Sequence, residues 1–179
     1  KLEKMIDMNI ILQEDAARIS SEKQRITNTL IEKTVKPRPY LINLLKTLRS
    51  EGYTLVCATN SIRETLDTML NTVKISEFFS FTFSNNDVDN PKPSPDIYSL
   101  SFNKLALLPN QCLICEDSPH GRKAAYSSGA HVLEIEDAND LTLEKIHQKI
   151  HSIQTAIPIV NTKIQVVIPM AGEGSRFQK

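Results

Sequence analysis

Two adjacent carboxylates, Glu116 and Asp117 (the acidic pair), are the side chains whose types and spacing point most directly to chemistry. They follow the apolar run Cys112–Cys115 and precede Ser118 and Pro119, an N-cap residue and a proline at the first helical position. The pattern predicts a buried strand that turns into a helix at the acidic pair. Neighbouring carboxylates repel unless a cation or a proton neutralises them, and Mg²⁺ prefers oxygen ligands. From this stretch alone, two interpretations are equally favoured: a magnesium site, or a capped helix with two solvated carboxylates.

Thr59 and Lys92 are two further side chains of use in phosphate chemistry. Thr59 follows the apolar run Tyr53–Ala58, so it is predicted to lie at the carboxyl end of another strand. Lys92 stands between Pro91 and Pro93, which hold the backbone extended and limit where the ammonium can reach. Taken alone, Thr59 fits a helix-capping role better, and Lys92 fits an exposed lysine in a proline-rich turn.

Strand and helix patterns alternate from Tyr53 to Ile153 and predict an α/β fold with a mostly parallel sheet and right-handed crossovers. Open sheets of this kind bind ligands at the carboxyl ends of their strands. On such a sheet Thr59, Lys92 and the acidic pair share that edge. Together they supply a hydroxyl donor, a fixed cation and a Mg²⁺ site, a set that suits a phosphoryl group.

The composition of the 179 residues limits the classes of function. The net charge is formally zero without a basic block, which argues against nucleic acid as a partner. No apolar run approaches the ~20 residues of a membrane span, and the charged, amphipathic start is unlike a signal peptide. Three cysteines indicate a reducing compartment, so we expect a cytoplasmic protein. Because no apolar run is long enough to span a membrane, we expect no membrane partner. Because the chain opens mid-pattern and without Met, we expect a fragment.

Three motifs, in order and at family spacing, resemble the haloacid dehalogenase (HAD) superfamily of phosphohydrolases, in particular its β-phosphoglucomutase-like phosphatases with a helical cap. The segments that resemble the second, third and fourth motifs are Val56–Ser61, Pro91–Asp96 and Glu116–Gly121. The match runs from about residue 20 to residue 150. It implies a Rossmann-like core over residues 36–154 and the remnant of a helical cap in residues 1–35, with a linker at residues 155–162.

The resemblance also implies a mechanism for hydrolysing a small phosphorylated substrate, most simply a sugar phosphate. In the family an aspartate attacks phosphorus, and water hydrolyses the resulting aspartyl-phosphate. A second aspartate protonates the leaving oxygen and later activates the water. By this resemblance Thr59 holds a phosphoryl oxygen, Lys92 offsets negative charge, and the acidic pair helps to hold Mg²⁺. Asn60 and Arg63 are weaker candidates for contact with the substrate.

The first motif of the family, Asp-x-Asp at the end of the first strand, is absent. The only Asp-x-Asp of the sequence is Asp87-Val88-Asp89, in the loop before Lys92, where the family has no nucleophile. We therefore expect the central strand, the nucleophile and the first cap helix to be missing, and this polypeptide alone to lack turnover. The alternatives are a phosphomutase of the same family and a non-catalytic phosphate-binding module. The sequence indicates no oligomeric state.

The tail of the chain carries a second, shorter resemblance. An apolar strand pattern over Lys163–Pro169 is followed by Gly172, Gly174 and then Arg176. Glycines and an arginine after a strand suit backbone amides that wrap around phosphate, although neither the dinucleotide fingerprint nor the P-loop pattern is met. The segment is similar to the opening of a sugar-nucleotidyltransferase domain over residues 163–179. That likeness implies nucleotide binding at these three residues and a fusion of a phosphatase with a nucleotidyltransferase. A third alternative is then that the function of the protein is that of its nucleotidyltransferase domain.

Overall fold

The computed structural model describes residues 7–8, 10, 12–156 and 164–168. In chain order its elements are α1 (Gln13–Thr34), α2 (Pro39–Ser50), β1 (Leu55–Ala58), α3 (Arg63–Val73), β2 (Phe81–Phe83), α4 (Asp96–Leu105), β3 (Cys112–Glu116), α5 (Pro119–Ser127), β4 (His131–Glu134), α6 (Leu143–Ala156) and β5 (Gln165–Ile168). Short 3-10 turns lie at Ser76–Phe78, Asn85–Asp87 and Pro109–Gln111.

The five strands form one sheet in the order β2-β1-β5-β3-β4, and every neighbouring pair runs parallel. Helices cover both faces, so the apolar runs of β1 and β3 are buried along their whole length. The predicted α/β fold with a mostly parallel sheet is confirmed. Because the strands are parallel, the carboxyl ends of β1 and β3 lie at the same edge of the sheet.

Two hydrophobic clusters fill the two faces of the sheet. Along β1, Leu55 and Cys57 belong to one cluster, and Val56 and Ala58 belong to the other, as the twofold alternation of a strand requires. The first cluster includes the buried faces of α2, α3 and α6. The second includes those of α4 and α5. These helices fix the sheet from both sides and hold its strand ends in place.

The middle of the sheet is filled by β5, which pairs with β1 on one side and with β3 on the other. Val166 is opposite Leu55 in β1 and opposite Leu113 in β3. At the start of the strand, the Gln165 side chain accepts a hydrogen bond from the Thr54 amide. A strand is needed at this place because the facing edges of β1 and β3 both carry backbone groups that must be paired.

This position of β5 differs from the sequence expectation, which put residues 163–179 at the start of a further domain and left the sheet without a central strand. Residues 165–168 instead belong to the α/β sheet. Sequence patterns identified the strand but not its neighbours, because pairing between distant segments leaves no local signal. The other predicted boundaries remain predictions, and Gly172, Gly174 and Arg176 lie outside the described residues.

Helix α1, within the segment predicted to be a cap remnant, packs against α3. Its buried Asn28 donates a hydrogen bond to Glu64 (2.9 Å) and accepts one from the Thr65 hydroxyl (2.9 Å). These bonds join α1 to the helix that follows β1. In the part of the chain that the structure describes, no helix is both long and apolar enough to cross a bilayer.

Candidate active site

The ends of β1 and β3 and the loop before α4 place the predicted site residues at one edge of the sheet. Thr59 directly follows β1, Glu116 is the last residue of β3, and Asp117 comes next. Lys92 connects the two strands, because its ammonium donates to the Ala58 carbonyl (3.1 Å) and pairs with Glu116. The structure therefore brings Lys92 into contact with Glu116, while Asp117 and Thr59 directly follow the two residues that Lys92 contacts. The roles assigned to these side chains remain predictions.

The backbone of Lys92 is held by Asn60. The Asn60 side-chain oxygen accepts from the Lys92 amide (2.9 Å), and its amide group donates to the Lys92 carbonyl (3.0 Å). The Lys92–Pro93 peptide bond is cis. The Lys92 side chain is only 5% exposed, and its ammonium lies 4.7 Å from the centre of the Tyr98 ring. Both backbone and ammonium are thus fixed by groups of the protein, which agrees with the limited reach predicted from the flanking prolines.

The Glu116 carboxylate is enclosed by donors on both of its oxygens. Its Oε1 accepts from Lys92 and from the Tyr98 hydroxyl (2.6 Å). Its Oε2 accepts from the Asp117 amide (3.1 Å) and from the amide and hydroxyl of Ser118 (3.4 and 3.3 Å). A Cβ at Gly121 would overlap this carboxylate, so the glycine is needed to make room for it. With 1% of its side chain exposed, Glu116 is a buried and fully hydrogen-bonded anion.

Tyr98 joins this cluster from the first turn of α4. Burial raises the pKa of its hydroxyl well above the usual value, and the nearby Glu116 charge raises it further. The phenol therefore stays protonated and serves as a donor to Glu116. Lys92 and Glu116 carry opposite charges in a buried site, where a pair of this kind is retained only with additional hydrogen bonds. Tyr98 supplies one of those bonds.

Thr59 does not occupy the N-cap position of α3, which is Ile62. Its hydroxyl oxygen accepts from the Ser61 amide (3.1 Å), and its own amide donates to the Phe83 carbonyl (2.9 Å). The hydroxyl is thus held in the turn that leaves β1, with 3% of the residue exposed. The capping alternative weighed for Thr59 does not apply to α3, and its role toward a phosphoryl oxygen remains a prediction.

Arg63 is engaged within the protein, at the edge strand β2. Its guanidinium donates to the Thr82 hydroxyl and carbonyl (both 2.8 Å) and to Asp87 Oδ2 (2.7 Å). The same Asp87 oxygen accepts from the amide and hydroxyl of Ser84 (both 2.7 Å). Asp87, the first carboxylate of the only Asp-x-Asp, therefore holds a loop, and a substrate contact by Arg63 stays a prediction.

The model of haloacid dehalogenase-like hydrolases matches residues 1–135. The chain belongs to this family.

Two curated relatives of this HAD-like chain show the range of the family. A phosphorylated carbohydrates phosphatase of Thermotoga maritima is 26% identical over 136 residues, which are 76% of this chain and 55% of the relative. A pyrophosphatase of Halalkalibacterium halodurans is 30% identical over 98 residues, which are 55% of this chain and 46% of the relative. The chain thus spans about half the length of these proteins.

Solved structures of similar fold include a β-phosphoglucomutase from Clostridium difficile, with a TM-score of 0.67 and 22% identity over 84% of this chain and 75% of that protein. CbbY from Rhodobacter sphaeroides, solved in complex with phosphate, has a TM-score of 0.62 and 25% identity over 68% of this chain and 56% of its own. These likenesses agree with the parallel sheet and with a HAD-type α/β core.

A divalent cation of this family was predicted at the acidic pair, and the two carboxylates differ in how well they fit one. Mg²⁺ is commonly bound through one or two carboxylates, with waters and phosphate oxygens as the other ligands. Asp117, half-buried beside the strand ends, fits such a ligand. Glu116 has both oxygens engaged with protein donors. Among the described residues, no three His, Cys, Asp or Glu side chains are arranged to hold a metal ion.

Sequence analysis missed Tyr98 and Gly121 as parts of this HAD-type site. Tyr98 lies 18 residues before Glu116 and looks like any aromatic residue on a buried helix face. Gly121 did leave a signal, because a glycine within a helix lowers helix stability and calls for a packing reason. That reason is the Glu116 carboxylate, which no local pattern reveals.

Proposed function

We propose that this chain forms the phosphate-binding half of a HAD-type phosphatase that acts on a small phosphorylated substrate, most simply a sugar phosphate. The observation that carries the proposal is the Lys92 ammonium, fixed at the carboxyl end of β1 beside Thr59 and the acidic pair. A buried cation next to a hydroxyl at the edge of a parallel sheet is suited to the negative charge of a phosphoryl group. The phosphatase named among the relatives supports a carbohydrate phosphate as substrate.

In this proposal each side chain has a definite task. Thr59 donates its hydroxyl to a phosphoryl oxygen, and Lys92 offsets the negative charge of the bound ester. Asn60 holds the Lys92 backbone, so its contribution to substrate binding is indirect. Mg²⁺ bound at Asp117 would add positive charge next to the phosphoryl oxygens. Arg63, which is engaged with Thr82 and Asp87, ties the start of α3 to β2 and to the turn that follows it.

We propose that this polypeptide alone does not hydrolyse the phosphate ester. The family mechanism needs an aspartate at the end of the central strand, and here the central strand is β5. In the sequence β5 is followed by Pro169, Met170 and Ala171, none of which carries a carboxylate. A non-catalytic phosphate-binding module is therefore the second candidate function.

Binding and turnover of glucose 6-phosphate test this proposal. Isothermal titration should detect binding to the chain, and Lys92→Ala should abolish it, because the buried ammonium is lost. The matched control Lys123→Ala, which removes an exposed lysine of α5, should bind like the wild type. Equal binding by Lys92→Ala, or no binding of phosphate or any sugar phosphate by the wild type, would refute the proposal.

Release of inorganic phosphate, measured with and without Mg²⁺, separates the two candidate functions. We expect none from this chain, and Mg²⁺-dependent release from a version extended upstream with a strand that ends in Asp-x-Asp. Loss of that release in Asp117→Ala would support the phosphatase, and binding without release in both versions would support the module. Release by the present chain would contradict the assigned roles and make Asp87 and Asp89 the first residues to replace.

A further inference from the structure

Helix α1 carries an apolar stripe on the side opposite to its contact with α3. Leu12 at the N-cap, Ile19 and Ile26 recur every seven residues, and Leu30 follows four residues after Ile26. At the helical period these four side chains (the α1 stripe) project from one side of the helix. Asn28, which is hydrogen-bonded to α3, lies about half a turn round the helix from them. The contact between α1 and α3 therefore leaves the α1 stripe unused.

The α1 stripe is largely open to solvent. Leu12 is 62% exposed, Ile26 46% and Leu30 43%, and Ile19 is half-buried. Ile31, next to Leu30 in the sequence, is only 1% exposed. Single exposed apolar residues are common on protein surfaces, but an aligned row of them marks a surface that binds another molecule. The α1 stripe is therefore a candidate interface.

The charged residues beside the α1 stripe indicate what that molecule is. Glu22 and Lys23 are adjacent, exposed and near the middle of the helix. Glu22 is bonded to Arg25 of its own helix (2.6 and 2.9 Å), but a carboxylate has lone pairs for a further donor. If a second α1 ran antiparallel about a twofold axis between residues 22 and 23, Glu22 of each copy would face Lys23 of the other.

The same axis also matches the apolar side chains. Residues 19 and 26 are equally far from the point between residues 22 and 23, so Ile19 of each copy would face Ile26 of the other. The acidic first turn of one helix would lie within one helical turn of Lys33 in the last turn of the other. A parallel pair would instead place Glu22 against Glu22 and Lys23 against Lys23. The charges therefore favour the antiparallel arrangement.

We propose that the α1 stripe is the contact surface for a second copy of this chain, with the two α1 helices antiparallel in a twofold-symmetric dimer. Such a dimer needs a surface that is complementary to itself, and the matched positions about residues 22 and 23 supply one. Because each copy contributes only four apolar side chains, the dimer should dissociate on dilution. The residues at the sheet edge take no part, so this inference goes beyond the proposed function and does not depend on it.

Charge reversal in the whole chain tests the arrangement. Sedimentation velocity at a series of concentrations gives the dimer Kd of the wild type, Glu22→Lys and Lys23→Glu. Each variant alone should dimerise roughly tenfold more weakly, because both symmetry-related pairs then carry like charges. An equal mixture of the two variants should associate like the wild type, because every pair across the axis is again of opposite charge. The matched control Glu32→Lys reverses an exposed charge of α1 away from the stripe and should leave the Kd unchanged.

A substitution in the α1 stripe tests the apolar contact. Ile26→Glu should leave only monomer at concentrations at which the wild type is a dimer, because a charge would be buried at the centre of the contact. The side chain is exposed in the single chain, so the variant should fold, which circular dichroism checks. The matched control is Leu108→Glu, which replaces an apolar side chain that is 64% exposed outside α1 and should leave the Kd unchanged.

The outcomes decide the proposal in either direction. A wild-type chain that is monomeric at every concentration overturns it, and dimerisation only after removal of residues 1–11 would show that the start of the chain covers the stripe instead. A dimer that survives Ile26→Glu places the contact elsewhere and also overturns the proposal. Glu22→Lys and Lys23→Glu proteins that dimerise like the wild type, or that fail to associate when mixed, refute the antiparallel arrangement. Binding of glucose 6-phosphate should be the same in all these variants, so failure of this inference leaves the proposed function standing.

Discussion

At the scale of single residues, Gly121 shows how one missing methyl group makes a site possible. The residue lies in the first turn of α5, where an alanine would ordinarily favour the helix by about 1 kcal/mol. Its neighbour is the Glu116 carboxylate, and a Cβ would overlap all three of its terminal atoms. Packing against Glu116 therefore disfavours an alanine at this position, whereas helix propensity favours one. The stability of the alanine variant measures which of the two effects is larger.

We predict that Gly121→Ala lowers the free energy of unfolding by about 1–3 kcal/mol, the usual range for overpacking a buried site. Urea denaturation measures the change. The control is Ser127→Ala at the exposed end of the same helix, which should not destabilise the protein. A Gly121→Ala protein as stable as the wild type, or more stable, would mean that Glu116 can move aside without loss.

Asp87 is the residue at which we expect a dependence on pH. Burial raises the pKa of its carboxyl, but hydrogen bonds from Ser84 and the bond and charge of Arg63 outweigh it, so that the pKa lies below its usual range. A carboxyl whose pKa is depressed in the folded state stabilises the protein above its unfolded pKa, about 4. That contribution is lost as the pH falls through the folded pKa.

We therefore predict that Asp87→Asn destabilises the protein at pH 7 and that its difference from the wild type shrinks below about pH 4. Unfolding by urea at a series of pH values measures this difference. Asp89→Asn removes a charge from the same exposed loop without breaking the bonds to Ser84 and Arg63, and serves as the control. A constant difference between wild type and Asp87→Asn from pH 7 to pH 3 would contradict the role of the carboxylate.

At the scale of elements, α5 begins at a side chain that serves the helix and the site together. The Ser118 oxygen accepts from the Gly121 amide (3.0 Å) as an N-cap, while its hydroxyl and amide lie within hydrogen-bonding distance of Glu116. The start of α5 is therefore tied to the end of β3. Sequence analysis predicted this start correctly from the serine and the proline that follows it, because capping is a local effect.

Replacing the N-cap serine should destabilise the protein by the amount typical of a lost helix cap. We predict that Ser118→Ala lowers the free energy of unfolding by about 0.5–2 kcal/mol. Ser118→Thr, which keeps a hydroxyl at the N-cap, should recover most of the loss. Thermal denaturation of the two variants measures the difference, and equal melting temperatures would show that the cap contributes nothing.

The limits of sequence prediction also appear at this scale. Buried strands were found from apolar runs, and the predicted strand over residues 53–58 contains β1. The aromatic run over residues 78–83 contains a shorter strand, because Ser76–Phe78 forms a 3-10 turn and β2 begins at Phe81. Short aromatic runs are ambiguous in this way, since the side-chain period alone does not set where pairing starts. Likewise, the enclosure of Glu116 depends on Tyr98, which only the packing of α4 brings near.

At the scale of the whole molecule, the sheet depends on β5 to join its two halves. The described contacts of β1 with β2 and of β3 with β4 form two parallel pairs, and β5 is the strand between them. Sequence analysis predicted the parallel sheet but not this order, because the two pairings of β5 are with segments about 50 and 110 residues earlier.

Truncation measures how far the fold relies on this strand. We predict that removing residues 157–179 abolishes the cooperative urea transition, because the facing edges of β1 and β3 lose their backbone partners. Removing only residues 169–179 keeps β5 and should preserve the transition. If both shortened chains unfold cooperatively at the same urea concentration, the two halves of the sheet do not need β5.

The central place of β5 also has a consequence in time. Of the five described strands the ribosome makes β5 last, after the two pairs that it joins. At common rates of translation the 48 residues between Glu116 and Gln165 take about 2–10 s to synthesise. During that interval β1 and β3 present unpaired edges, which are prone to pair with other chains. Production of this protein should therefore depend on chaperones that shield nascent strands until β5 has emerged.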